Sequence, residues 1–217
     1  MRWFLPFARF SYFAAALLLV GSVATHAQAA AAATAAPAAS GAPTPAAKRL
    51  SVSGIHNAGK VTDFLYRGAQ PSKESFAELK KLGVTTVVDL REGRNRPKEE
   101  RKEVESLQMR YVYIPVSGWA PPRNAQVAEF LTLFKNNEQG QKVFVHCHFG
   151  DDRTGVMVAT YRIAIEHWTV EQAIQEMHSF GFHYHWHPKM EAYVRNFPSA
   201  LAKDPVFGAF RSNPEQK

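Results

Sequence analysis

Two apolar runs set the frame of this chain. Val84 to Leu90 is a nearly continuous β-branched stretch, the pattern of a strand covered on both faces. Val143-Phe144-Val145 repeats it more briefly and runs straight into a loop rich in polar residues. Between and around these runs the period changes. Phe76, Leu79 and Leu82 keep helical spacing after a capping Ser72 and before Gly83, so they predict a helix. Asp63 to Tyr66 reads as a first strand, with Gly68 to Pro71 as its turn. Pro97 opens a charged helix with Val104 and Leu107 inward, and Arg110 to Val116 is a further strand. Val127, Phe130, Leu131 and Phe134 fall at i, i+3, i+4 and i+7, and a helix-like run follows from Thr154 to His167. Strands alternating with helices predict an α/β fold: one domain, residues 51–200, with a central, mostly parallel sheet flanked by helices. Residues 201–217 read as an irregular tail.

The start of the chain has a different character. Arg2 and Arg9 lie in a positive, aromatic stretch, Ala14 to Ala24 form a short apolar core, and Ala27-Gln28-Ala29 has the small-x-small form of a cleavage site. Residues 1–29 therefore read as a secretory signal peptide, which predicts an exported, periplasmic protein; an uncleaved membrane anchor is the alternative. Residues 30–50 follow as an Ala/Pro-rich linker without hydrophobic periodicity, expected to be disordered. With 217 residues, 46% of them hydrophobic, the remainder suffices for one cored domain. Removing Arg2 and Arg9 lowers the formal charge from +7 to +5. That excess suits an anionic substrate, and nothing in the chain reads as a nucleic-acid module.

The candidate chemistry lies in His146-Cys147-His148-Phe149-Gly150-Asp151-Asp152-Arg153-Thr154-Gly155, between the second apolar strand and the helix after it. A strand, a tight loop and a helix N-terminus place successive backbone N–H groups where an anion sits, reinforced by the helix dipole. Cys147, the only cysteine in the chain, lies at the mouth of that cradle, which favours its nucleophilic thiolate form. A lone thiol in an oxidising compartment has no disulfide to make, so its retention points to chemistry. Arg153 offers the planar fork that fits two phosphate oxygens at once. The pattern points to phosphate-ester hydrolysis through a phospho-cysteine. Carboxyl ends of such strands are also where α/β sheets carry their sites.

The spacing His-Cys-x5-Arg-Thr-Gly resembles the signature of the cysteine-dependent protein tyrosine phosphatases, and more narrowly the bacterial dual-specificity-phosphatase-like branch. Leu65-Tyr66-Arg67-Gly68-Ala69-Gln70-Pro71 is similar to that branch's entry strand and turn. Tyr161-Arg162-Ile163-Ala164, Trp168, Glu171 to Met177, Phe180 to His183 and Trp186 resemble its later segments, so the likeness spans Val61 to Phe197. The resemblance implies Cys147 as nucleophile and Arg153 as phosphate clamp, with the loop from His148 through Phe149, Gly150, Asp151 and Asp152 to Arg153 as phosphate-binding. It implies supporting roles for His146, which orients the loop, and Thr154, which donates to the Cys147 sulfur. No metal or other cofactor is implied.

One expected part is missing. The segment that usually supplies the leaving-group proton matches Ser117-Gly118-Trp119-Ala120-Pro121-Pro122-Arg123, which holds no carboxylate. Asp152 is the substitute, similar in placement to an aspartate of myotubularin-type lipid phosphatases, and Asp151 is expected to face solvent or hold the loop. A pseudophosphatase that binds phosphate without turnover is the alternative. A third reading is a His-rich metal site: His183, His185 and His187 would share one face of an extended segment, with His146 and His148 flanking the cysteine. Arg91, Arg94, Arg96 and Lys98 read as a solvated loop paired with Glu92, Glu99 and Glu100; Arg91 is the exception, placed to read a further phosphate. Substrates compatible with the pattern are phosphorylated proteins, lipid or inositol phosphates and small phosphate esters. Any approach to a membrane would be through the substrate alone, and no oligomeric state is implied.

Overall fold

The computed structural model describes residues 44–93, 96–135 and 140–211. Residues 1–43, where the signal peptide and most of the linker are expected, Arg94, the Arg96 side chain and the last six residues lie outside them. The described strands are β1 Lys48–Arg49, β2 Gly59–Lys60, β3 Leu65–Gly68, β4 Val84–Asp89, β5 Arg110–Tyr113 and β6 Lys142–His146. They form one six-stranded mixed sheet in the order β1-β2-β3-β6-β4-β5. β3, β6, β4 and β5 run parallel, and β1 and β2 add an antiparallel edge beside β3.

β6 is the centre of this arrangement. It pairs with β3 on one side (Gly68 opposite His146) and with β4 on the other (Asp89 opposite His146). Its alternating side chains serve two cores, as the strand period of two requires. Val143, Val145 and Cys147 face a large cluster with α3 Asn124–Thr132, α4 Asp152–Ala164, α5 Val170–Ser179 and α6 Pro188–Lys203. Phe144 faces a smaller one built with Phe76 and Leu79 of α1 Ser75–Lys81 and Val104 of α2 Arg96–Ser106. α4 is buried at every position from Thr154 to Ala164. A helix buried on all sides belongs in the middle of a fold, and here it anchors the loop that precedes it.

Several boundaries differ from expectation for local reasons. α1 begins at Ser75; Ser72 does not cap it but bonds Glu74 and Ser75 through its hydroxyl. The linker's last residues are tied down: the Trp168 indole donates to Thr44 Oγ1 at 2.6 Å, and the Ala47 amide donates to buried Glu176 at 2.7 Å. Nor are residues 201–210 irregular. α6 continues to Lys203, and a 3₁₀ segment, Pro205–Phe210, inserts fully buried Phe207 edge-on to Phe197 at 5.3 Å.

Candidate active site

At the carboxyl end of β6 the chain turns through Cys147 to Asp151 and enters α4. Cys147 is 1% exposed, at the bottom of the loop, and the Gly150 amide donates to its sulfur at 3.2 Å. Gly150 is required twice. Its φ of +78° is strained for any residue with a side chain. A Cβ there would also stand 2.4–2.5 Å from backbone atoms of Gly68 and Ala69. The loop thus sits directly on the turn after β3, and the Gln70 amide donates to the His148 carbonyl at 3.2 Å. Among the described residues the amides of His148, Phe149, Asp151 and Arg153 meet no protein acceptor, the condition of an anion cradle. The half-buried Arg153 side chain forms no ion pair there either.

Two expected donors are otherwise engaged. The Gly150 amide serves the sulfur, and the Asp152 amide donates to the Asp151 carboxylate at 2.7 Å, which caps α4. Asp151 therefore holds the loop. Burial, and secondarily the charge of Asp152, raise its carboxyl above the ordinary range, against the pull of the amide it caps. Thr154 makes no hydrogen bond to the sulfur: its Oγ1 is buried with no hydrogen-bond partner.

The histidine-rich segment turns instead of extending. The His187 amide donates to the His183 carbonyl at 3.0 Å, so positions four apart, not two apart, converge. Asp152 lies between them. It accepts from the His183 amide at 2.9 Å, and the His183 and His187 rings each approach it at 3.4 Å. His185 is exposed and outside this set, so no three-histidine site assembles. The Trp119 ring packs on His187 at 5.5 Å, bringing the carboxylate-free segment to the histidine turn. A carboxylate reaches that segment from elsewhere: Glu92, just beyond β4, accepts from the Gly118 amide at 3.3 Å.

Behind the loop lies a buried charge network that also corrects the reading of Arg91. Arg91 is 5% exposed and donates to both Asp89 oxygens and to Glu100; it reads no external anion, and it is not solvated. Burial pushes the Asp89 carboxyl up, but the hydrogen bonds and charge of Arg91, with the charge of His146, hold it below its ordinary value. His146, fully buried, bonds Glu100 through Nε2 at 2.7 Å and the Cys147 carbonyl through Nδ1 at 3.1 Å. Glu100→Ala would leave the buried His146 Nε2 without its partner and Arg91 with Asp89 alone. It should cost about 3–5 kcal/mol, read by urea denaturation. A loss under about 1 kcal/mol, typical of exposed pairs, would show that the network is hydrated.

Residues 49–194 match a family described as a DSP-PTPase phosphatase fused to NAD+ kinase. The chain belongs to this family of dual-specificity, tyrosine-phosphatase-like proteins. Among curated relatives of the dual-specificity family, the dual specificity protein phosphatase TpbA of Pseudomonas aeruginosa is 30% identical over 141 residues, covering 65% of this chain and 62% of TpbA. Arabidopsis thaliana phosphatidylglycerophosphate phosphatase PTPMT2 is 27% identical, covering 64% and 61%. The chain thus spans less than two thirds of the length of these relatives. A crystal structure of P. aeruginosa TpbA, a cysteine-to-serine form in complex with phosphotyrosine, superposes at a TM-score of 0.59 with 27% identity, covering 77% of this chain and 96% of that one. The dual-specificity-like α/β fold expected from the loop pattern is the fold observed.

Two residues that hold this dual-specificity-type loop were given no role by the sequence reading. Arg67 and Asn57 both donate to the Gly150 carbonyl, at 2.8 and 3.1 Å, from 83 and 93 residues away in sequence. Arg67 carried a faint signal, a charged residue inside an otherwise apolar strand; Asn57 carried none.

Proposed function

We propose that this protein hydrolyses phosphate monoesters through a phospho-cysteine. The observation that carries the reading is the Cys147 sulfur, seated under the α4 N-terminus with an amide aimed at it and further loop amides free around it. The thiolate attacks phosphorus, the P–O bond to the leaving group breaks, and Asp152 supplies that oxygen's proton. Water then attacks the phospho-cysteine, the S–P bond breaks, and Asp152 takes the proton back while phosphate leaves. Arg153 and the loop amides hold the equatorial oxygens, where charge spreads in the transition state.

Phosphotyrosine is the substrate this reading favours. The relative crystallised with phosphotyrosine supports it. So do Phe149, within the loop, and Trp119, packed on His187, which are 65% and 72% exposed and offer flat faces to an aromatic ring. The test is turnover of tyrosine phosphopeptides against alkyl phosphates, with chelator present throughout. Phosphate binding without turnover of either would make the protein a binder instead of an enzyme.

The start of the chain supports export. Export predicts a mature N-terminus near Ala30, read by N-terminal sequencing of protein from fractionated cells; soluble cytoplasmic protein retaining Met1 would overturn it.

A further inference from the structure

Arg67 is a full guanidinium with no exposed surface, set in β3 directly beneath the loop. Burying such a charge is costly unless a carboxylate meets it. None does. Nη2 donates to the Gly150 carbonyl at 2.8 Å, and the guanidinium lies 4.1 Å from the centre of the Phe180 ring. Nε and Nη1 are buried with no hydrogen-bond partner. The neighbouring buried carboxylate, Glu176, already takes two hydrogen bonds from Arg162. A conserved-volume hydrophobic residue would satisfy this position more cheaply if packing were its only task. The other acidic side chains that act on Arg67 belong to the loop, Cys147 and Asp151.

The contacts also have a direction. Donors from below fix the Gly150 carbonyl (Arg67 and Asn57) and the His148 carbonyl (the Gln70 amide) on the underside of the loop. Peptide planarity then turns the following amides the other way, toward the anion. We propose that Arg67 is a positioning residue for anion binding: from beneath the loop it pins the Gly150 carbonyl away from the phosphate and places a permanent positive charge behind Cys147 and the bound phosphoryl group. Burial pulls the Arg67 guanidinium down to about 10, while Glu176 and then Cys147 oppose the fall, so it stays charged at neutral pH. Asn57, which grips the same carbonyl without a charge, separates the two contributions.

The inference rests on Cys147 being an anionic nucleophile, and its test does not require turnover. Inorganic phosphate and vanadate binding would be measured by calorimetry on the full chain, beside the pH profile of Cys147 alkylation by iodoacetamide. Arg67→Met should weaken both anions about tenfold or more and move half-maximal alkylation upward by about one pH unit. Asn57→Ala should weaken the anions less and leave the alkylation profile in place. Arg67→Lys, which keeps the charge but loses the fork, should fall between; it decides the matter if Arg67→Met does not fold. Anion affinity and alkylation profile both unchanged in a folded Arg67 variant would overturn the inference. Wild-type protein that binds phosphate but turns nothing over would overturn the enzymatic reading alone, because the binding comparison still decides the role of Arg67.

Discussion

Cys147→Ser should reduce turnover of nitrophenyl phosphate to that of buffer while phosphate and vanadate still bind. A serine hydroxyl at this position stays protonated near neutral pH, whereas the thiolate is the attacking form. The cradle survives the exchange, because the Gly150 amide can donate to oxygen as it does to sulfur. Binding and chemistry therefore separate in this variant. Arg153→Lys tests the second half of the site. An ammonium is a point charge and cannot bridge two equatorial oxygens, so the loss expected is about 10²–10³-fold in kcat. Substantial turnover in Cys147→Ser protein free of parent enzyme would end the covalent mechanism. An Arg153→Lys enzyme within a few-fold of the parent would move the clamp to another residue.

The parts of this fold that were legible in the sequence are those whose signal is local. Val84 to Leu90 announces a buried strand because both its faces are covered, and α4 announces itself through the apolar run Val156-Met157-Val158-Ala159 and the pair Ile163-Ala164. The loop is legible because its chemistry sits within ten consecutive residues. What was not legible depends on contacts across the chain. β1 and β2 are two-residue strands with no pattern to read, defined only by pairing, β1 to β2 and β2 to β3. Arg91 looks like a surface residue until α2 brings Glu100 to it in the interior. Arg67 looks like a polar strand position until the loop, eighty-three residues on, closes over it. The histidines misled through an assumed extended geometry: Gly181 (φ +88°) and Pro188 at the start of α6 bound a short turn, which brings His183 and His187 together and sends His185 elsewhere.

Asp152→Asn should cost turnover in proportion to how badly the leaving group needs a proton. A general acid contributes about 10²–10⁴ in rate when the departing oxygen is basic, and little when it is stable as an anion. The variant should therefore be nearly silent with nitrophenyl phosphate and severely slow with phosphotyrosine or an alkyl phosphate. The His183 amide and the His183 and His187 rings fix the orientation of Asp152. Asp151 is a different case. Its carboxyl is held above the ordinary range by burial, yet it is committed to the Asp152 amide as the cap of α4. Asp151→Asn should lower all substrates by a similar, smaller factor through loss of loop order. Glu92→Gln completes the set, because Glu92 is the carboxylate that touches the 117–123 segment, where an acid was expected and none occurs in sequence. Three variants across three leaving groups give an unambiguous pattern. A loss that grows with leaving-group basicity identifies the proton donor, and a loss uniform across substrates identifies a structural role. If the graded loss appears in Glu92→Gln and not in Asp152→Asn, the acid comes from the turn after β4, and Asp152 serves to hold the histidine turn against the loop.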